Sequence, residues 1–269
     1  MTAFIYHFAY EFKTGLRNPT LMLMNYLFPL GFYALMGAVM IPINPGFAEA
    51  LIPAIVIVAV MVSTLLGLPA PLVEARGAGI FRSFKINGVP ALSILSIPAL
   101  STIFHSLIVS TLIAATGSPL FKAAAPASWL NFTLLTLLTA FTFGAIGALI
   151  GVVASGSRST VLWSQLIFLP SMLIGGLMMP LSLLPASVRP FSGLLPTTYA
   201  MQAYLGFAYG QETVFDPGIS VLVLAASGLL AFALAIYLFN WDVQNRSRRG
   251  HPLLALLSWL PYVVGVFLG

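Results

Sequence analysis

The chain has 269 residues, 59% of them hydrophobic and 6% charged, and its mean hydropathy is +1.02. No soluble domain of this length carries that balance, so the class is a polytopic, all-α membrane protein. Eleven Lys and Arg against six Asp and Glu give a formal net charge of +5. The basic residues cluster at the ends of apolar runs, which marks topology rather than nucleic-acid binding. The lack of cysteine excludes disulfides, Cys-ligated zinc and thiol nucleophiles.

Residues 1–19 open the chain. Within 3–17, Phe4, Phe8, Phe12 and Leu16 recur at four-residue spacing, with His7, Glu11 and Thr14 elsewhere on the wheel. That pattern predicts an amphipathic helix lying in an interface. Asn18-Pro19 breaks it, and proline is well placed to start the next helix. No cleavable signal is expected, so the chain inserts by its own spans.

Six apolar segments follow at 20–41, 51–72, 91–115, 129–154, 160–180 and 218–240, each near the roughly 20 residues that span a bilayer. With a cytosolic N-terminus, Lys13, Arg17, Arg76, Arg82, Lys85, Arg158, Arg246, Arg248 and Arg249 all fall inside. Only Lys122 and Arg189 fall outside, a strong positive-inside bias. The six-span unit covers 1–245.

The stretch 74–90, EARGAGIFRSFKINGVP, stands out between two apolar runs. Its charges cannot sit in hydrocarbon, where a Lys or Arg costs roughly 2.5–3.5 kcal/mol at mid-bilayer. Gly77, Gly79, Asn87, Gly88 and Pro90 punctuate it, leaving Ile80–Ile86 as two turns of helix. Such an inner loop suits docking in a groove of a cytosolic partner, whose motion would tilt both flanking spans. The plainer alternative is a solvated loop that only fixes topology.

On the outer side, 42–50 and 116–128 are short. Residues 181–217 are longer, semi-apolar and rich in proline and glycine, and read as short helices or a re-entrant hairpin in the outer leaflet. Residues 246–269 are a basic cluster and an apolar tail broken by Pro261. At roughly 1.5 Å per residue the tail barely crosses a bilayer, so an interfacial or partner-packed helix is expected over a seventh span.

Catalytic signatures are missing. His7, His105 and His251 lie on distant segments in no ligand spacing, so no metal site is expected. No phosphate loop and no nucleophile elbow occurs. Inside the spans His105 is the one clear ionisable residue, Asn25 and Gln165 being neutral, and it reads as a packing residue among Ser101, Thr102 and Ser106. No mid-span Asp or Glu is present to hold a coupling ion, so energy for transport would enter from outside the membrane domain. The Gly147-x-x-x-Gly151 and Gly206-x-x-x-Gly210 repeats allow close helix contact, within the chain or between copies.

The order Gly175-Gly176, Pro180, Leu184-Pro185, then Leu194-Leu195-Pro196-Thr197-Thr198-Tyr199 resembles the signature of the membrane subunits of type-2 ABC transporters. In that family a fifth span ends in a glycine pair and a proline, then short outer helices and a Leu-x-Pro-x-x-Tyr-like turn follow. Glu74-Ala-Arg76-Gly77 is similar to the family's Glu-x-x-x-Gly start of the coupling loop, with the glycine one residue early. The resemblance covers 1–245. It implies a six-span, exporter-like permease that dimerises, in the bacterial inner membrane, with its N-terminus cytosolic and without enzymatic activity of its own.

The resemblance also implies two copies of a separate cytosolic ATPase, which would carry ATP and magnesium, and no cofactor in this chain. Residues 1–19 would be the connecting helix. Glu74, Arg76, Gly77, Ile80, Phe81, Arg82, Phe84 and Lys85 would form the ATPase-coupling loop. Gly175, Gly176, Pro180, Pro185, Pro196 and Tyr199 would carry the outer-leaflet signature. The implied cargo is an amphiphile such as a drug, lipid or glycan, and the implied dimer seam lies on the first and fifth spans. A self-contained channel or carrier without an ATPase is the alternative.

Overall fold

The computed structural model describes residues 2–242 and 250–268; Arg246, Arg248 and Arg249 lie outside them. The regular structure of the described residues is all helical, with no strand. Five helices are long and apolar enough to cross a membrane: α2 (Pro19–Ile43), α3 (Leu51–Gly77), α5 (Ala91–Phe121), α6 (Trp129–Val153) and α10 (Pro217–Leu238). Around them lie α1 (Thr2–Arg17), α4 (Ile80–Ile86), α7 (Ser157–Ile174), α8 (Arg189–Ser192), α9 (Pro196–Ala203) and α11 (Leu260–Leu268).

Local chemistry sets most boundaries. Asn18 caps α2, its Oδ1 accepting from the Thr20 and Leu21 amides at 2.9 and 3.2 Å, with Pro19 at the first helical position. Asp216 and Pro217 do the same for α10, where Asp216 Oδ1 accepts from the Ile219 amide at 2.8 Å. The spans differ from expectation at three places. α5 runs past 115 to Phe121. α3 runs on to Gly77, so Glu74 and Arg76 sit on the last turns of a helix rather than in a loop. α7 is 18 residues long, carries Arg158 and Gln165, and stops at Ile174 before the glycine pair.

α3 is the central post of the bundle, with every residue from Leu51 to Leu65 buried. α5 and α6 pack against it. α6 approaches closely because of its glycines: a methyl at Gly147 would overlap the Thr64 carbonyl, and one at Gly151 would meet Leu72 Cδ1 at 2.9 Å. The 147–151 repeat therefore serves packing within the chain. We expect Gly147→Ala to cost about 1–3 kcal/mol of stability by overpacking. A thermal melt of the detergent-solubilised protein checks this, and an unshifted midpoint would refute it.

α2 and α7 remain on the outside. α2 exposes Leu23, Leu27, Phe28, Leu35 and Val39; α7 exposes Val161, Leu162, Leu166, Leu169 and Leu173. α1 packs on α5: Phe8 meets Phe104 edge-on at 5.3 Å and Phe12 stacks on His105 at 4.2 Å. His105 is 1% exposed and its Nδ1 lies 2.6 Å from the Tyr26 hydroxyl. It is thus a joint between α1, α2 and α5.

The tail folds back on its own chain. A 3-10 helix, Pro252–Trp259, leads into α11, and both pack antiparallel to α10. Gly250 lies beside Leu238, Ser227 Oγ donates to the Ser258 carbonyl at 3.0 Å, and Gly265 lies against Val223 and Tyr199.

Candidate coupling surface and far-end segment

α1 and α4 lie toward one end of the bundle. α4 is set off by two glycines in the left-handed region, Gly79 (φ 77°) and Gly88 (φ 74°), which turn the chain out of α3 and toward α5. Its buried residue, Phe81, packs on Phe239 at 5.5 Å, just past the end of α10. Phe84 meets His7 of α1 edge-on at 5.7 Å. Arg82 pairs with Asp242, and Lys85 Nζ lies 6.0 Å over the Trp241 ring. The short helix is therefore joined to four elements: α3 and α5 through the chain, α1 through Phe84, and the exit of α10 through Phe81, Arg82 and Lys85. Its outer surface offers Ile80, 44% exposed, and Ile86, 80% exposed, with Ser83 and Asn87 beside them.

The residues before α4 have a different task. Arg76 is 9% exposed, and its guanidinium donates to the Val152 carbonyl at 2.5 Å and to the Ala154 carbonyl. Those carbonyls end α6, where a helix leaves acceptors unpaired and its dipole favours a cation. Glu74 Oε1 accepts from Ser157 Oγ at 3.4 Å at the start of α7. Glu74 and Arg76 thus lock the end of α3 to the α6–α7 turn, while Gly77 is exposed in open space.

His7 Nε2 lies 3.7 Å from Glu11 Oε1. Burial raises the Glu11 carboxyl above its usual range, and His7 partly offsets the rise.

At the far end, the glycine pair has a steric reason. A side chain at Gly175 would overlap Thr197, and Gly176 has φ 85°. Pro180 leads into a 3-10 turn at Leu181–Leu183, and the exposed Pro185 accepts from the Val188 amide at 2.9 Å. Pro196 starts α9, all of whose residues are buried, and a π-helical turn at Tyr204–Ala208 extends it. Tyr199 is fully buried; its hydroxyl donates to the Tyr262 carbonyl at 3.3 Å and its ring faces Phe215 at 5.6 Å. The far-end residues thus form a packed cap joining α7, α9, α10 and α11 rather than a catalytic cluster.

Asp242, Phe239 and His7 complete the α4 surface and carried no local signal. The one available clue was Asp242 itself, one of only six acids in the chain. Of the aromatic residues whose places near span ends suggest interface anchors, Trp129, Tyr199, Trp241 and Tyr262, the two tyrosines are instead fully buried.

The profile of the ABC-2 type transporter family matches residues 2–209, ending before α10 and the tail. The chain is also similar to the inner membrane transport permease YadH of Escherichia coli K12, at 32% identity over 121 residues, 45% of each chain. The YadH proteins of E. coli O157:H7 and Shigella flexneri give the same identity and coverage. The alignment spans less than half the length of these relatives. No solved structure matches. With the family profile covering most of a helical, strongly apolar chain, the protein belongs to the ABC-2 type transporter family.

Proposed function

We propose that this chain is the transmembrane half of an ATP-driven exporter of amphiphilic molecules. It works as a dimer in a bacterial inner membrane, and a separate cytosolic ATPase binds ATP and magnesium. In this reading α7 completes a set of six spans with α2, α3, α5, α6 and α10, and α1 lies at the cytosolic face. The basic residues support that orientation, since Lys13, Arg17, Arg82, Lys85 and Arg158 then all lie on the cytosolic side. The exposed apolar faces of α2 and α7 supply surface for a second copy.

One observation carries the proposal: α4 presents Ile80 and Ile86 outward while its other contacts reach α1 and the end of α10. A partner groove would hold the two isoleucines, and rigid movement of that partner would displace several helices together. Hydrolysis would thereby be converted into a change in the cavity between permease halves.

The test is affinity purification from the native host, for the parent and for an Ile80→Glu, Ile86→Glu variant. A stoichiometric ATPase with the parent, lost from the well-folded variant, is expected. A homo-oligomer without any ATPase would overturn the reading and favour a self-contained channel or carrier.

A further inference from the structure

A cavity of about 560 Å³ opens at the far end among the α2–α3 turn, the stretch after α7, α9 and the approach to α10. Phe47, Leu177, Met201 and Leu205 give it an apolar wall, and Glu49 and Glu212 bring two carboxylates to its lining. Both glutamates are exposed, and neither is in an ion pair among the described residues. The basic residues of that end, Lys122 and Arg189, do not line it. Arg189 is turned to the Ser182 and Leu184 carbonyls.

Gln202, only 3% exposed, also lines the cavity. Its Oε1 accepts from the Val214 and Phe215 amides at 2.6 and 3.2 Å, which fixes the orientation of the amide. The Nε2 hydrogens then have no acceptor among the described residues and are left to the space the residue lines. Nε2 is not sealed from water, so a ligand oxygen would take the place of water there.

We propose that this cavity binds organic cations that are amphiphilic and carry a carbonyl or hydroxyl oxygen. The apolar body lies on Phe47, Leu177 and Leu205, the cationic group faces Glu49 and Glu212, and Gln202 Nε2 donates to the oxygen. The role as a release site for cargo rests on the exporter reading above. The binding itself does not, and it is tested on the permease alone.

The probe is rhodamine 6G, a lipophilic cation with an ester carbonyl, titrated by fluorescence anisotropy against the permease in nanodiscs and against empty discs. The matched anion is fluorescein ethyl ester. Saturable binding of the cation alone is expected, weakened about tenfold by the Glu49→Gln, Glu212→Gln pair, roughly the effect of 1.4 kcal/mol. Gln202→Ala should weaken it as well. Equal binding of the anion, or unchanged affinity in the double variant, overturns the proposal. Both glutamates are exposed, so the Gln variants keep the fold. Loss of this site with ATPase association intact would leave the permease reading standing.

A separate observation carries a second inference. Residues 250–265 run beside residues 238–223 of α10, a helix whose length crosses a membrane. Winding Pro252–Trp259 as a 3-10 helix lengthens the segment, at about 2.0 Å per residue against about 1.5 Å for α-helix. With α11 it reaches roughly 30 Å, the thickness of the hydrocarbon core.

We infer that 252–268 is a further membrane-crossing segment, with Phe267 on the side opposite α4. The absence of native cysteine makes the test simple: Phe267→Cys and Ile86→Cys, 84% and 80% exposed in the parent, are labelled in cells with an impermeant maleimide. Phe267→Cys should react in intact cells and Ile86→Cys only after permeabilisation. Reaction of both under the same condition, or no reaction of Phe267→Cys in either, overturns the crossing. The reverse pattern keeps the crossing and overturns the orientation proposed above.

Discussion

Replacing Arg76 with Met is expected to lower the melting midpoint of the solubilised permease by about 5–10 °C, roughly 3 kcal/mol for a chain of this size. The guanidinium is buried and reaches two carbonyls, Val152 and Ala154, at the end of α6. Methionine matches much of its volume but donates nothing, so both acceptors lose their partner in a site largely closed to water. An acceptor left in that condition costs about 1–3 kcal/mol, and the loss of a cation at a helix C-terminus adds to it. Arg76→Lys should recover only part of the loss, because an ammonium lacks the planar fork that spans two carbonyls. Melts of the three proteins by fluorescence-detected size exclusion decide the matter. A wild-type midpoint for Arg76→Met would show that the α3–α6 lock contributes little.

Arg76 also shows what sequence can and cannot carry. Charge and glycine marked 74–90 as the polar stretch between spans, and Ile80–Ile86 is the helix that spacing predicts. The same charge made Glu74 and Arg76 read as loop. Their partners, Ser157 and the Val152 and Ala154 carbonyls, lie more than seventy positions away and satisfy them at the end of a longer α3. The helix start at Pro19 was legible from Asn18-Pro19, and the starts near 129 and 218 from the apolar runs; Ser128 and Asp216 cap those two helices in the structure. The winding of the tail was not legible, for a different reason. Its reach was estimated from the rise of an α-helix, whereas half of it is wound as 3-10 helix. Nothing short of tertiary structure joins Arg82 to Asp242, 160 positions along the chain.

That pair carries the last prediction, which concerns coupling rather than stability. Arg82 is 53% exposed, so its ion pair with Asp242 adds little to folding free energy. Its position matters more, since it fastens the outer side of α4 to the exit of α10 while Phe81 and Phe239 hold the inner side. In the proposed transporter, a partner ATPase moving α4 would drag α10 through these two contacts. Arg82→Asp should leave hydrolysis near the parent rate and reduce substrate export about tenfold, because two like charges then meet at the joint. Asp242→Arg should do the same from the other side. The swap Arg82→Asp, Asp242→Arg should restore at least about half of export, a non-additivity expected of residues in direct contact. Both activities are measured on the reconstituted complex with its ATPase. Export that stays normal in both single variants would mean that force reaches the spans through the α3 and α5 connections alone. Single-variant losses that the swap does not repair would assign Arg82 to the ATPase interface instead of the α4–α10 joint.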